Sequence, residues 1–220
     1  MNDNRSKTWF TSDFHLGHHR LYETGFRKFS CAQECEEKML DNFSCIRKQD
    51  NLYIAGDLTL SANYDYVAEF LSQINGNKIV ILGNHDRQTT LDKLKSDGVI
   101  ANYHPWKGVR PVLDSGQTVP VFVTHFPLLE WHVGNEFRYN LHGHMHGLLA
   151  AQDKCPMRYD VGVDANSYAP VTLDQILSEN EFSESIRNGG ICRAQCSISC
   201  FCTLKRLQHA NIVGDLNHAE

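Results

Sequence analysis

The stretch Asn77-Lys78-Ile79-Val80-Ile81-Leu82-Gly83-Asn84-His85-Asp86 decides how this chain folds. Four apolar residues in succession, three of them β-branched, predict a strand buried on both faces. Gly83 ends it, and Asn84, His85 and Asp86 follow at once, all side chains that hold metal ions or handle protons. Sheet enzymes carry their chemistry at the carboxyl ends of strands, because the strand is rigid and the loop after it is free to bear polar groups. Taken alone, Gly-Asn-His-Asp is equally a turn, since Gly, Asn and Asp all favour turns.

The same pattern repeats on both sides. Upstream, Leu52-Tyr53-Ile54-Ala55 predicts a strand that ends in Gly56-Asp57. Between the two strands Tyr66, Phe70, Leu71 and Ile74 mark a helix, with Gly76 as its C′ stop. Strand–helix–strand alternation predicts parallel pairing and a layered α/β fold. Further upstream, residues 30–48 predict a helix, with Ser30 and Gln33 as a capping box and Met39, Leu40, Phe43 and Ile46 on one apolar face. Thr8-Trp9-Phe10-Thr11 reads as the first strand and leads into Ser12-Asp13-Phe14-His15. In extended chain the Asp-x-His spacing puts both side chains on one side.

Downstream, residues 90–96 predict a short helix, and residues 99–118 lose clear periodicity, with a short strand at 109–113. Residues 119–123 form a clearer strand, where Pro120 suits a sheet edge or a strand start. It runs into Thr124-His125-Phe126-Pro127. Residues 138–141 lead into His142-Gly143-His144-Met145-His146, and residues 159–164 read as a last strand. Thr172 and Gln175 form a second capping box, opening a helix through Leu177.

The totals set the frame. A chain of 220 residues, 41% hydrophobic, suits one domain over residues 1–185 followed by a poorly ordered cysteine-bearing tail at 186–220. The net charge of −5 argues against a broad basic surface for nucleic acid, though a local basic groove is compatible with it. Neither a signal peptide nor a membrane span is read, so a cytoplasmic protein is expected. The eight cysteines then read as free thiols. Cys192, Cys196, Cys200 and Cys202 lack the paired Cys-x2-Cys spacing of structural zinc.

Five strand ends thus carry Asp13 and His15; Asp57; Asn84 and His85; His125; and His144 and His146. A set of oxygen and imidazole ligands without thiolate suits Mn²⁺, Fe, Zn or similar divalent ions. There are too many ligands for one tetrahedral site, so two ions are the natural count.

The order Asp13-x-His15, Gly56-Asp57, Gly83-Asn84-His85-Asp86, His125, Gly143-His144-x-His146 resembles the calcineurin-like metallophosphoesterase superfamily, over roughly residues 8–178. Phe10-Thr11-Ser12-Asp13 with Gly17-His18, and Val161-Gly162-Val163-Asp164, are similar to its small single-domain bacterial and phage members. The resemblance implies a four-layer sandwich, with two mixed β-sheets face to face and helices outside. It implies two divalent ions, Mn²⁺ first, with Fe, Ni, Zn or Mg as alternatives. Asp13, His15 and His146 would hold one ion, Asn84, His125 and His144 the other, and Asp57 would bridge. Two such ions clamp a phosphoryl group and make a hydroxide available at neutral pH. His85 would protonate the leaving oxygen, and Asp86 would orient His85.

The implied activity is phosphoester hydrolysis, of phosphodiesters first. Phosphomonoesters or nucleotides, or a non-catalytic interaction module on the same fold, are the alternatives. The implied partner is a small phosphoester or nucleotide; the charge lends nucleic acid no support, and no sequence feature sets the oligomeric state. His18, Arg87 and His142 neighbour the motifs and are candidates to touch phosphate, against the plainer reading of packed histidines and a surface arginine. Asp160 and Asp164 are candidates to orient ligand histidines.

Overall fold

The computed structural model describes residues 5–128, 137, 139–148 and 157–179. The boundary at 185 and the cysteines of the tail lie outside the described residues. In chain order the elements are β1 (Thr8–Thr11), α1 (Arg20–Glu23), α2 (Ala32–Phe43), β2 (Asn51–Ile54), α3 (Tyr64–Ser72), β3 (Asn77–Ile81), α4 (Gln88–Ser96), β4 (Asn102–His104), β5 (Lys107–Val109), β6 (Val121–Val123), β7 (Tyr139–His142), β8 (Arg158–Asp160), β9 (Val171–Thr172) and α5 (Leu173–Glu179).

The strands form two mixed sheets, ordered β4-β3-β2-β1-β9 and β5-β6-β7-β8. In the first, β1 to β4 are parallel and β9 joins β1 antiparallel. In the second, β6, β7 and β8 are parallel and β5 is antiparallel. The period of two along each strand sorts the core into layers. Leu52, Ile54 and Val80 face α2, α3 and α4 and join Met39, Phe43, Val67, Phe70, Leu91 and Leu94. Phe10, Ala55 and Ile81 face the other way and meet Val121, Val123, Tyr139 and Leu141 of the second sheet. Each fully buried aliphatic or aromatic side chain stabilises by about 1.5–3 kcal/mol relative to exposure. On the far face of the second sheet Phe122 packs against Trp106 and Phe137, each with ring centroids 5.2 Å away.

Local details differ from the sequence-based expectations. α2 ends at Phe43, and no Ser30–Gln33 box forms: Ser30 N–H donates to Glu34 Oε2 at 2.7 Å, and the N-cap is Cys31. Gly76 lies beyond the C-cap Gln73 of α3, in a left-handed turn with φ 92°. The strand expected at 159–164 ends at Asp160, and Gly162 makes only an isolated bridge to Ser12. The strand expected at 109–113 lies earlier, as β5. Pro120 precedes β6, which is an inner strand, so of its two readings the strand start is the correct one. The second capping box forms: Thr172 N–H donates to Gln175 Oε1 at 2.8 Å, and Gln175 N–H to Thr172 Oγ1 at 3.3 Å.

One buried carboxylate anchors the lower end of the first sheet. Asp50 accepts from the N–H groups of Lys7 and Arg47, from Trp9 Nε1 and from the Arg47 guanidinium at 2.8–3.2 Å. Burial works against its charge, but Arg47 and these N–H groups outweigh it and hold the carboxyl down at about 2.

Candidate functional site

The carboxyl ends of β1, β2 and β3 meet those of β6 and β7, and every strand-end motif arrives at this one rim. Tight backbone contacts bring them together. A Cβ on Gly143 would lie 1.9 Å from Ser12 Oγ and 2.4 Å from Asp13 Oδ2, and one on Gly83 would lie 2.1 Å from Asp57 Oδ1. Only glycine lets those strand ends close on the carboxylates. The backbone itself is bent to purpose. Seven non-glycine residues among those described have positive φ, and five of them are Asp13, His15, Asp57, His144 and His146. Such conformations persist only where the surroundings over-determine them, and they cluster at functional sites. Asp13 and His15 therefore converge through two left-handed turns, and the extended-chain spacing is not what aligns them.

The side chains fall into two groups. Asp13, His15 and His146 form one and Asp57, His125 and His144 the other, each with ligand atoms within 4.8 Å of one another. His15 Nε2 is 3.2 Å from His146 Nε2 and 3.8 Å from Asp13 Oδ1. Asp57 Oδ2 lies between the groups, 3.5 Å from His15 Nε2 and 3.4 Å from His125 Nε2. Asn84 Oδ1 lies 2.8 Å from His125 Nε2 and 2.9 Å from His144 Nδ1. Asp13, His15, Asp57, His125 and His146 are buried, whereas His144 is half-buried and Asn84 exposed.

Hydrogen bonds fix what these atoms offer. His125 Nδ1 is 2.8 Å from the Ala55 carbonyl, which can only accept, so the ring donates there and turns Nε2 inward. His146 Nδ1 likewise meets Asp164 Oδ2 at 2.6 Å. In their neutral forms the two rings then aim lone pairs at the carboxylates of Asp57 and Asp13, acceptor against acceptor. Positive charge resolves that conflict, as protons on the rings or as cations between them. The pull on protons is visible. Burial tends to lower His125, but the hydrogen bond and charge of Asp57 outweigh it and raise the ring to about 9. His146 is raised against its burial by Asp13 and Asp164. Burial lifts Asp13 to about 6. Burial, then the charges of His146 and Arg27, hold His15 well below its usual range. Burial and the neighbouring His125 bring His144 to about 4. The donor set therefore fits divalent cations, with imidazole and carboxylate ligands and no thiolate.

The other expected residues separate. His85 is half-buried beside the groups, its ring 5.4 Å from that of His15, and its N–H donates to Asp57 Oδ1 at 2.9 Å. Burial first, with His125 adding, lowers its pKa against the pull of Asp57. The Asp86 carboxylate is engaged by backbone N–H groups rather than by the His85 ring. Its Oδ2 accepts from the N–H groups of Asp57 and Gly83 at 2.9 and 2.8 Å, and its Oδ1 from Leu58 N–H at 2.9 Å. It clips the loop after β3 to the loop after β2. His142 is buried, with Nδ1 2.9 Å from the Gly143 carbonyl, as the plainer reading of a packed histidine expects. His18 is half-buried with its ring 5.6 Å from that of His15, and Arg87 is exposed at the start of α4. Asp164 contacts His146 as anticipated. Asp160 instead accepts from the N–H groups of Gly147 and Gly162, both at 2.8 Å, and shapes the loop.

Two residues escaped the sequence. Arg27 is fully buried and grips Asp164. No periodic or motif signal marks it, because its partner lies 137 positions away. Phe126, 48% exposed, stands beside the second group with its ring 4.9 Å from that of His125 and 4.6 Å from that of His144. Its position directly after the His125 motif was the available clue.

Comparison with known proteins bears on the family and the fold. The family model described as calcineurin-like phosphoesterase matches residues 6–148. The Gene 66 protein of Mycobacterium phage L5 is 27% identical over 73% of this chain and 87% of its own length. An uncharacterised protein of Methanocaldococcus jannaschii is 27% identical over 82% of this chain and 95% of its own. The crystal structure of a protein of unknown function from Aquifex aeolicus shares the fold, with a TM-score of 0.60 over 80% of this chain and 100% of that one, at 19% identity.

Proposed function

The chain belongs to the calcineurin-like phosphoesterase family, and from that premise we propose that it is a metal-dependent phosphoester hydrolase with a two-ion centre and phosphodiesters as its substrates. The observation that carries this is the position of Asp57 Oδ2, 3.5 Å from a histidine of one group and 3.4 Å from a histidine of the other. Asp13, His15 and His146 would hold one ion, and Asn84, His125 and His144 the other, with Asp57 shared. When bound, two divalent ions supply Lewis acidity to the phosphoryl oxygens and lower the pKa of a water. Mn²⁺ is the first candidate and Fe, Ni, Zn or Mg are the alternatives; the oxygen and imidazole donors suit several of these ions.

The chain's own residues do the rest. Asp57 keeps a negative charge for the cations, because the hydrogen bond and charge of His125 outweigh its burial and hold its pKa down. His125 and His146 are held with Nε2 inward by Ala55 and Asp164. His85 stands over the centre on a backbone fixed by Asp57 and gives a proton to the leaving oxygen; an anionic substrate beside the ring restores the pKa that burial lowers. A diester carries one negative charge and a monoester nearly two. A site of imidazoles and carboxylates, whose buried Arg27 is already committed to Asp164, favours the less charged substrate. The exposed side bearing Asn84 and Phe126 is where an organic arm reaches solvent. Cys31, Cys35 and Cys45 are free thiols, which fits a reducing, cytoplasmic setting. Among the described residues no helix is long and apolar enough to cross a membrane.

The test is hydrolysis of nitrophenyl phosphate mono- and diesters by chelator-stripped protein re-supplied with Mn²⁺, Ni²⁺, Zn²⁺ or Mg²⁺. Metal-restored hydrolysis, faster on the diester and absent from Asp57→Ala, is the expected result. A chain that binds no metal under any of these conditions overturns the proposal.

A further inference from the structure

Arg27 lies in the irregular stretch between α1 and α2, yet it is fully buried. Its Nε and Nη2 donate to Asp164 Oδ1 and Oδ2, both at 2.8 Å, in a bidentate fork. The remaining donors turn to the backbone: Nη1 reaches the Phe14 carbonyl at 2.9 Å and Nη2 the Asp13 carbonyl at 2.7 Å. Each contact leads to a member of one group. Asp164 Oδ2 aims His146. The Asp13 carbonyl belongs to the residue whose φ is 59°. The Phe14 carbonyl shares a peptide plane with His15 N–H, which donates to the Asp57 carbonyl at 3.0 Å. The other group is held by different means, through Ala55 for His125 and through Asp86 and His85 N–H for Asp57. Besides that His15–Asp57 bond, a second backbone link crosses between them, from His144 N–H to the Asp13 carboxylate at 3.0–3.1 Å.

We propose that Arg27 is the positioning residue of the Asp13–His15–His146 half of the centre, one guanidinium that sets the ring of His146 and the backbone of both Asp13 and His15. A lysine cannot replace it, because an ammonium on a flexible stem cannot make the bidentate fork while also reaching two carbonyls. The role rests on the two-ion reading above for its metal consequence, but not for its structural one.

The experiment has two arms. In the first, the metal-free chain is labelled with ¹⁵N-histidine and its ring N–H protons are followed by NMR. The short His146–Asp164 contact and the His125–Ala55 contact each give a protected downfield proton. Arg27→Met, and Arg27→Lys should the first variant not fold, removes or shifts the His146 signal and leaves that of His125 in place. Unchanged signals, or loss of both together, overturn the assignment. In the second arm, equilibrium dialysis against Mn²⁺ reads stoichiometry. Wild type takes two equivalents, and the Arg27 variant binds one of them about 10–100-fold more weakly, as expected when a ligand's outer partner is lost. Asp164→Asn weakens the same equivalent, and the double variant is no weaker than Arg27→Met alone. Both equivalents retained, or both lost, overturns the assignment. A wild type that binds no metal while its His146 signal still answers to Arg27 overturns the two-ion reading and supports the positioning role.

Discussion

The two halves of the centre are built on opposite plans. Asp13, His15 and His146 are at most 8% exposed and are braced from behind by Arg27 and Asp164. Asn84 is exposed and His144 half-buried, with Phe126 beside them. One half has its ligands fixed by buried charge, and the other keeps His125 buried but opens to solvent at Asn84 and His144. The difference teaches where rigidity is concentrated: the enclosed half gains from a low local dielectric, while the open half must admit a substrate and let product leave. Asp57 belongs to both.

Breaking the shared member has the largest effect. Asp57→Ala is expected to lower kcat/KM by about 10³-fold or more, beyond the loss of a single electrostatic stabiliser, and to weaken both metal equivalents in dialysis; retention of either would show that the halves do not share it. His85→Ala touches neither half's ligand set. It is expected to keep both equivalents and to lose about 10²–10⁴-fold in turnover of esters with poor leaving groups, and much less on nitrophenyl esters, whose leaving oxygen needs little proton. Asp164→Asn sharpens the contrast: about 10–100-fold weaker binding of one equivalent, with Asn84→Ala weakening the other.

The smallest effect lies outside both halves and concerns stability alone. Asp50 has a folded pKa of about 2 against an ordinary 3.8, so its stabilisation is complete above about pH 4 and is lost as pH falls towards 2. Thermal melts of metal-free protein should fall over that window, and Asp50→Asn should flatten the fall while costing about 2 kcal/mol at neutral pH, the scale of charge-assisted hydrogen bonds. An unchanged acid limb in Asp50→Asn would move the acid sensitivity to the centre itself.

Legibility followed the range of the interactions. β1, β2, β3, β6 and β7 each combine a local apolar run with a motif, and both signals lie within a few residues. β4 and β9 are three and two residues long and exist because a neighbouring strand is there to pair with. Arg27 meets Asp164 across the chain, and Asp86 spends its carboxylate on backbone N–H groups that no side-chain pattern records. His142 shows the converse failure. Its place beside Gly143 suggested chemistry, yet every residue of β7 is buried and its Nδ1 is spent on the Gly143 carbonyl. The left-handed ligand positions were hidden for a simpler reason: Asp and His are not glycine, and only the assembled site forces positive φ on them.

The antiparallel pairing of β9 with β1 has a consequence for biosynthesis. Phe10 pairs with Val171, so β1 keeps one edge open until nearly the whole described chain has been made. The second sheet is threaded in the interval, between β4 and β9. A nascent chain stalled before Val171 presents Trp9 and Phe10 on an unpaired parallel sheet, the kind of edge that recruits foreign strands. Parallel pairing of high sequence separation is also slow to form. Among the described strands β9 is therefore the seal on that edge, and truncations that remove it should yield aggregates although they leave every candidate ligand in place.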